Sequence, residues 1–597
     1  MIQFIFVLYL FCISGFFSKL YANVNFIKGS LFLPLALSIF LSVSGGLGIL
    51  HIAILGSYFV IALISILILI KLFRSKSEIR SLFNDIYFWV FVGLSIVIYI
   101  VCKNNTPIDS DELSIWGLLP RIIYLGASSS FDNAFALNNI SNTHSPIAYY
   151  LAFATNIRNA YSTSTAYIAY YILSLAAYLS LLSSISWKRN YMDLVKFILV
   201  LFVPLAFFYP NGGTAFRILM NIDYRFIKAI LFSLSLNITI TSQCQKSDIS
   251  LLSLLLLVIG TMDILGFWLV FFVIIHFFVV LSHKEQARIE QLKKYGVLIL
   301  VLFITALWNI SSFQLNSLDL IAYFNALYLL LFETLKISNM IPLGFYLFIL
   351  LPIIVYCSIE DKKQNMYMKL FILQVMGFFL YFCFVVELIL RDDANHLISQ
   401  LRDYSVYIMG ISLCWIPFLL ANRNKGIQKQ LRDSMIFIIV SFTIIGSQFD
   451  VLRDKFFNWS YYSNTIYNIS YGEHRYGTEY HIEKISTSFN QDTPIKLFFS
   501  MGGCDFSMSY MHELIRFELL EHQIYVTHNP LTLDCMTVEK AAEFLSEVEY
   551  LYLAYPISDQ FNKELNELYN NDVFIEAEKV YQIVRKGDSV EFVALID

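Results

Sequence analysis

Charged residues are scarce in this chain. Aspartate, glutamate, lysine and arginine make up 14% of its 597 residues, whereas an ordinary soluble protein carries about 25%. Apolar residues make up 57%, and the mean hydropathy is +0.64. This composition excludes an ordinary soluble protein. Apolar runs of roughly 17–25 residues, the length that crosses a hydrocarbon core as a helix, recur along residues 1–450. The sequence therefore predicts a polytopic α-helical membrane protein.

Several signatures of metal, redox and nucleotide chemistry are missing too. The eight cysteines form no CxxC motif and no Cys/His cluster. The segment MGGCD at 501–505 lacks the spacing of a GxxxxGKS or GxGxxG phosphate loop. No basic residue precedes the first apolar run, so we interpret that run as a retained span, because a cleaved signal peptide has the opposite charge order.

Charge divides the chain into two parts. Residues 1–450 hold 30 lysines and arginines against 22 acids, whereas residues 451–597 hold 11 against 23. We therefore predict a transmembrane domain at 1–450 and an acidic soluble domain at 451–597, whose charge argues against a nucleic-acid partner. Strand patterns alternate with helix patterns from about residue 494, which predicts a small α/β domain. Residues 451–493 are predicted to be a linker or an irregular lid.

The loops between apolar runs predict the orientation in the membrane. Loops rich in lysine and arginine are expected in the cytoplasm. If about fourteen spans are counted, with both termini outside and a turn near Asp263–Gly266, the basic loops all reach the cytoplasm. The segment PIAYYLAFAT at 146–155 is too short to span and is predicted to be interfacial or re-entrant. The acidic domain is then extracytoplasmic, on the non-cytoplasmic side of an integral cell membrane (the inner or plasma membrane).

The fourteen candidate spans differ in length, and their bounds are set by apolar runs alone. They cover 1–21, 31–50, 54–73, 84–102, 161–185, 194–210, 226–243, 249–263, 264–282, 295–312, 340–358, 366–390, 404–421 and 434–449.

Three acids occupy the outer loop predicted at 103–160. Asp109, Asp111 and Glu112 follow the fourth span directly. One interpretation is structural, because acids favour the first turn of an interfacial helix. The other is catalytic, because a carboxylate can deprotonate an acceptor hydroxyl. Three acids beside a bilayer exceed what one helix cap needs, which favours the catalytic interpretation.

Cationic and aromatic residues are predicted at the same outer face. Arginine can stabilise the charge that builds on a departing phosphate, although solvated loops with snorkelling arginines are the structural alternative. Lys228 is grouped with Arg217 and Arg225, the two arginines before the predicted seventh span, as a candidate cation. The candidate substrate-binding residues are Trp116, Arg121, His144, Arg217, Arg225, Arg391, His396, Arg402 and Tyr404.

These residues resemble motifs of the GT-C integral-membrane glycosyltransferases, a superfamily that includes the protein mannosyltransferases and the aminoarabinose transferases. The resemblance rests on Asp111-Glu112, on the following helix, on the His144-Ser145-Pro146 run and on Arg402-x-Tyr404. The chain departs from the family in two motifs. Family members have a His-Pro-Pro-like run where this chain has His144-Ser145-Pro146, and an uninterrupted Arg-Tyr pair where this chain has Arg402-x-Tyr404. Its acidic loop also follows about four spans rather than the first. Asp111 matches the catalytic acid better than Asp109 because it adjoins Glu112.

The resemblance implies an inverting transfer of sugar from a polyprenyl-phosphate donor, with a catalytic outer-loop aspartate. The acceptor would be a cell-surface glycan, a lipid or a protein. The resemblance leaves open whether a divalent metal ion takes part. The three acids could hold such an ion, with His144 or His396 as a further ligand. A polymerase or ligase of lipid-linked oligosaccharides is the main alternative. A transporter is a third, although transporters place ionisable residues near the midplane, where Asp263 is the main one.

Overall fold

The structure is a computed structural model. Contact clustering divides the chain into two compact units. The first unit contains Met1–Asn105 and Thr143–Arg453, and the second contains Thr106–Asn142 and Asp454–Asp597. The described residues are 1–74, 83–103, 117–128, 145–156, 161–183, 200, 224–241, 246–282, 288–309, 352–353, 361–392, 404–421, 473–489, 495–500, 507–522, 524–526, 537–569, 574–586 and 589–595.

The described part of the first unit is helical. Its helices follow apolar runs, because a backbone in hydrocarbon must satisfy its own hydrogen bonds. They are α1 (Ile2–Ala22), α2 (Phe26–Ser30), α3 (Phe32–Gly46), α4 (Leu50–Arg74) and α5 (Ile86–Cys102), then, after α6 of the second unit (Leu118–Ser128), α7 (Pro146–Thr155), α8 (Thr163–Leu182), α9 (Tyr224–Thr241), α10 (Lys246–Gly260), α11 (Ile264–Ser282), α12 (Arg288–Trp308), α13 (Asp361–Asp392) and α14 (Tyr404–Ala421).

Six described stretches are long and apolar enough to cross a membrane. Shorter apolar helices occur at Ile86–Cys102, Gly296–Trp308 and Val406–Phe418. Six helices of this length and hydropathy support a polytopic membrane protein. The count of fourteen spans and their orientation stay predictions. The six stretches are Ile2–Ala22, Phe26–Gly46, Leu50–Arg74, Thr163–Leu182, Ile264–Ser282 and Met366–Val386.

The predicted spans at 194–210, 340–358 and 434–449 lie outside the described residues, apart from residues 200 and 352–353. Two predictions on local structure are tested. The turn expected near Asp263–Gly266 is confirmed, because α10 ends at Gly260 and α11 begins at Ile264. Helix α7 has only ten residues, too few to span, as predicted, and all ten are buried.

Polar contacts join helix ends at two levels of the first unit. At one level, Lys19 pairs with Asp85 at 3.2 Å, and Lys28 pairs with Asp248 at 3.6 Å. At the other ends of α1 and α8, the Gln3 amide donates to the Thr155 carbonyl (3.0 Å) and accepts from the Thr165 hydroxyl (2.7 Å). Polar groups between packed helices favour one arrangement because the bilayer offers them no other partner.

The described part of the second unit has a five-stranded sheet. Its strands are β1 (Ile495–Ser500), β2 (Ile524–Val526), β3 (Tyr550–Leu553), β4 (Val580–Lys586) and β5 (Ser589–Ala594), in the order β2-β1-β3-β4-β5. The first three are parallel and the last two form an antiparallel hairpin. The predicted alternation of strands and helices is confirmed, including the hairpin across Lys586–Asp588, although residues 587–588 lie outside the described part.

Four helices accompany the sheet in the C-terminal part of this unit, α15 (Glu473–Thr487), α16 (Ser507–Leu519), α17 (Val538–Ser546) and α18 (Asp559–Tyr569). Helix α15 corrects the sequence interpretation, which expected a linker or irregular lid at 451–493. Its Ile485 is buried with strand residues, and its His481 ring lies 2.7 Å from the Tyr552 hydroxyl on β3. These tertiary contacts stabilise a helix whose sequence is mostly polar.

Candidate functional site

Most predicted site residues lie outside the described part of the chain. This holds for all three outer-loop acids and for five of the predicted binding residues, so their roles stay predictions. The residues are Asp109, Asp111, Glu112, Trp116, His144, Arg217, His396 and Arg402.

Arg121 is described, and it lies in the second unit. Its side chain on α6 is buried, with the guanidinium carbon 4.3 Å from the centroid of the Phe517 ring on α16. A guanidinium stacked on an aromatic face is stabilised by cation–π attraction. The helix after the acidic cluster therefore packs with the C-terminal part of its unit, and Arg121 contributes to that packing.

Arg391 and Tyr404 lie on the backbones of two helices that flank residues 393–403. Arg391 belongs to the last turn of α13, and Tyr404 is the first residue of α14. The two helices contact each other, since the Tyr407 hydroxyl donates to the Gln374 carbonyl at 3.0 Å. Both residues therefore border the loop in which the sequence predicted phosphate-binding arginines.

An ion pair with a buried lysine joins α9 to the turn between α10 and α11 in the first unit. The Lys228 ammonium, on the second turn of α9, binds the Asp263 carboxylate in the turn between α10 and α11. The Lys228 side chain is only 3% exposed, whereas that of Asp263 is 35% exposed. A buried ammonium needs a partner because its transfer from water is costly. Ionisable residues among membrane helices mark functional sites more often than structural ones.

The Asp263 carboxylate is held by backbone as well as by Lys228. Its Oδ1 accepts the Gly266 N–H at 2.6 Å, while Oδ2 faces Lys228. This contact places the negative charge at the N-terminal end of α11, where the helix dipole stabilises an anion. On the other side of the turn, the Asn309 amide donates to the Gly260 carbonyl at 2.7 Å. Polar contacts therefore fix both helix ends around Asp263.

Arg225 adds a second cation near this pair. It lies three residues before Lys228 on α9, which places both on neighbouring positions of one helix face. Arg225 is partly buried. An ammonium and a guanidinium one turn apart can together bind a phosphate group. A phosphate oxygen can take the place that the Asp263 carboxylate has on Lys228.

Among the described residues, no group of three or more histidine, cysteine or acidic side chains is arranged to hold a metal ion. The three outer-loop acids, for which the sequence left a metal ion open, lie outside this part of the chain.

Comparison with known proteins adds no identification. No family model, no curated protein and no solved structure matches this chain. The resemblance to the GT-C superfamily therefore stays a hypothesis that rests on the sequence motifs.

Part of this site is visible in the sequence. Lys228 and Arg225 were grouped as outer cations, and Asp263 was recognised both as an intramembrane charge and as a turn residue. Their pairing was not predicted, because 35 residues separate them and no local pattern connects a span with a later turn. An isolated lysine and an isolated aspartate in adjacent apolar segments were the available signal.

Proposed function

We propose that this protein is a membrane glycosyltransferase of the GT-C type, which transfers a sugar from a polyprenyl-phosphate donor to an acceptor outside the cytoplasm. The observation that carries the proposal is the Lys228–Asp263 pair, with its buried lysine and with Arg225 one turn away. The lipid chain of such a donor lies in hydrocarbon. The negative charge of its phosphate therefore needs cations of the protein beside it. This site provides those cations on a membrane helix.

The reaction needs one base and a stabilised leaving group. An acceptor hydroxyl attacks the anomeric carbon of the sugar while Asp111, or Asp109, takes its proton. The bond between the anomeric carbon and the phosphate oxygen breaks, and the electron pair remains on the polyprenyl phosphate. Lys228 and Arg225 stabilise that charge. Attack opposite to the leaving group inverts the anomeric configuration.

Asp263 pairs with Lys228 and orients its side chain in the absence of donor. When the phosphate binds, the carboxylate loses one partner but retains the Gly266 N–H and the N-terminal end of α11. Its partly exposed side allows it to turn toward water. The exchange substitutes one anion for another, so the buried ammonium is never left without a partner.

The test is sugar transfer in membranes that contain the full-length protein, supplied with a panel of labelled polyprenyl-phosphate hexoses. Asp111→Asn or Asp109→Asn is expected to lower transfer by about 100-fold or more, the usual effect of losing a general base. Lys228→Gln is expected to lower it about tenfold or more. Lys28→Gln serves as the matched control, because Lys28 also pairs with an aspartate, at 3.6 Å, but far from this turn.

Folding is controlled separately. Lys228→Gln leaves Asp263 without its cation, so the double variant with Asp263→Asn is made as well, which removes both charges. If that variant inserts at wild-type levels and still fails to transfer, the cation is required for the reaction. Wild-type transfer in both Asp111→Asn and Asp109→Asn would refute the proposed base. Wild-type transfer in the double variant would refute the phosphate site.

Transport is the second candidate, and the same ion pair favours it. Charged residues beside interrupted helices are typical of transporter binding sites. Uptake of labelled glycans or lipids into vesicles, without any change in their covalent structure and abolished by Asp263→Asn, would select transport over transfer.

A further inference from the structure

Helices α11 and α13 pack antiparallel with a regular register. The Trp268 and Phe384 rings stack with their centroids 3.7 Å apart. One turn further along α11 and two turns back along α13, a Cβ atom at Gly377 would lie 3.3 Å from Phe272. The next turn of each helix brings His276 opposite Gln374.

The depths of these two residues agree with this register. His276 lies about 9 Å from the end of α11 at Ser282, counted at 1.5 Å per residue. Gln374 lies about 12 Å from Met366, where the apolar part of α13 begins. Both side chains are completely buried. They therefore occupy one layer of the bundle interior, distant from both ends of the spans.

Each side chain has one polar atom that is already engaged. His276 Nδ1 lies 2.7 Å from the Phe272 carbonyl oxygen. A carbonyl only accepts, so Nδ1 carries the proton and Nε2 of the neutral ring is an acceptor. Gln374 Oε1 accepts from Trp415 Nε1 at 2.9 Å, which assigns the two N–H donors to Nε2.

The remaining atoms are complementary. His276 Nε2 is an acceptor and Gln374 Nε2 is a donor, and in the described part of the chain neither has a hydrogen-bond partner. Buried polar groups are satisfied in nearly all proteins, and more strictly so inside a membrane. A second buried amide nitrogen without a partner among the described residues, Asn237 Nδ2, is on α9, which packs against α11.

The aromatic side chains of this layer close it on one side. Tyr407 lies with its ring centroid 5.6 Å from that of Phe272 and 5.4 Å from that of Tyr381. The unpartnered side-chain nitrogens of His276, Gln374 and Asn237 belong to an imidazole and two amides, all of them neutral. This chemistry suits a neutral molecule that donates one hydrogen bond and accepts another, and it offers no counter-charge to an ion.

We propose that His276 and Gln374 form an intramembrane binding site for a water molecule. The water donates to His276 Nε2 and accepts from Gln374 Nε2, and it joins α11 to α13 within an otherwise aromatic contact. Buried waters of this kind have two to four polar partners. The site is independent of the proposed glycosyl transfer, since none of its residues belongs to the Lys228–Asp263 turn.

The test is radiolytic labelling of the purified full-length protein in detergent micelles, in water enriched in oxygen-18. Hydroxyl radicals formed from a bound water label the side chains beside it, even when these are buried. Phe272 and Trp415, which are 2% and 1% exposed, are expected to take up label at least about fivefold above Phe91. Phe91 is the internal reference because it is fully buried on α5.

His276→Leu removes the acceptor and is expected to reduce labelling of Phe272 and Trp415 to the level of Phe91. His276→Asn, which retains a polar group, is expected to preserve part of it and serves if the leucine variant does not fold. His51→Leu, at an exposed position on α4, is expected to change nothing.

Two results would overturn the proposal. Wild-type labelling no higher than that of Phe91 would mean that no water is bound there, as when Gln374 bonds directly to His276. Equal labelling in wild type and in a folded His276 variant without the acceptor would place the water elsewhere.

Discussion

Lys228 and Asp263 show how one charged pair can be tolerated among mostly apolar helices. Asp263 has two partners, a backbone N–H and an ammonium, so that its charge is compensated even though it lies between apolar helices. Removing one partner of such a pair leaves an isolated buried charge, which costs more than the intact pair contributes. The pair therefore affects stability as well as any substrate binding.

Asp263→Asn is expected to destabilise the protein by about 3 kcal/mol, within the range for breaking a buried pair. The asparagine oxygen still accepts from Gly266, so the loss reports on the charge alone. Thermal unfolding in micelles measures it. Asp248→Asn leaves Lys28, whose side chain is 21% exposed against 3% for Lys228, so water can solvate the ammonium that loses its partner and the cost is expected to be less than about 1 kcal/mol. Equal losses at the two positions would contradict the special status of the buried pair.

His481 predicts a pH dependence for the second unit. Burial lowers the pKa of its imidazole below the ordinary value of 6.5, against an opposing effect of Glu578, while Lys484 lowers the pKa further. The unfolded chain then binds a proton that the folded unit does not, so stability is present above pH 6.5 and decreases as the pH falls below it. His481→Gln is expected to reduce this decrease, measured as the Tm of the full-length protein between pH 8 and pH 5. An unchanged pH profile would refute the assignment to His481.

The helical elements follow from sequence to different degrees. Apolar runs located helices such as α1, α4 and α11 within a few residues, since hydrocarbon length and hydropathy dictate them. Alternating patterns located the strands of the second unit. Helix α15 was not predicted, because its stability comes from Ile485 and His481 packing on distant strands. The same holds for the candidate site. Its single charged residues are visible in the sequence, but the contact between α9 and the later turn is not.

The turn between α10 and α11 has a glycine that its geometry requires. A Cβ atom at Gly266 would collide with the Ile259 carbonyl oxygen, and that oxygen belongs to backbone that cannot move aside cheaply. Gly266→Ala is therefore expected to destabilise the turn by about 1–3 kcal/mol, as for overpacked positions. Gly93→Ala on α5 meets open space and is expected to be neutral or to stabilise by up to about 1 kcal/mol, because alanine favours a helix. Comparison of the two Tm values measures the difference.

At the scale of the whole molecule, neither compact unit is one continuous stretch of the chain. Residues 106–142 cluster with 454–597, and Arg121 on Phe517 is the contact that shows the reason. Arg121→Ala is expected to destabilise the second unit by about 1–3 kcal/mol through lost cation–π attraction and packing. Limited proteolysis of the full-length protein would detect faster cleavage within 473–595. Lys563→Ala, at an exposed pair on α18, is the control and is expected to leave the cleavage rate unchanged.

The interrupted order of the second unit has a consequence for biosynthesis. About 310 residues separate its first segment from its second. About 390 residues separate α6 from Phe517, so at roughly 5–20 residues per second of translation α6 is made about 20–80 seconds before that ring. During that interval Arg121 has no Phe517 ring to pack against, while the eight described helices α7 to α14 of the first unit are made.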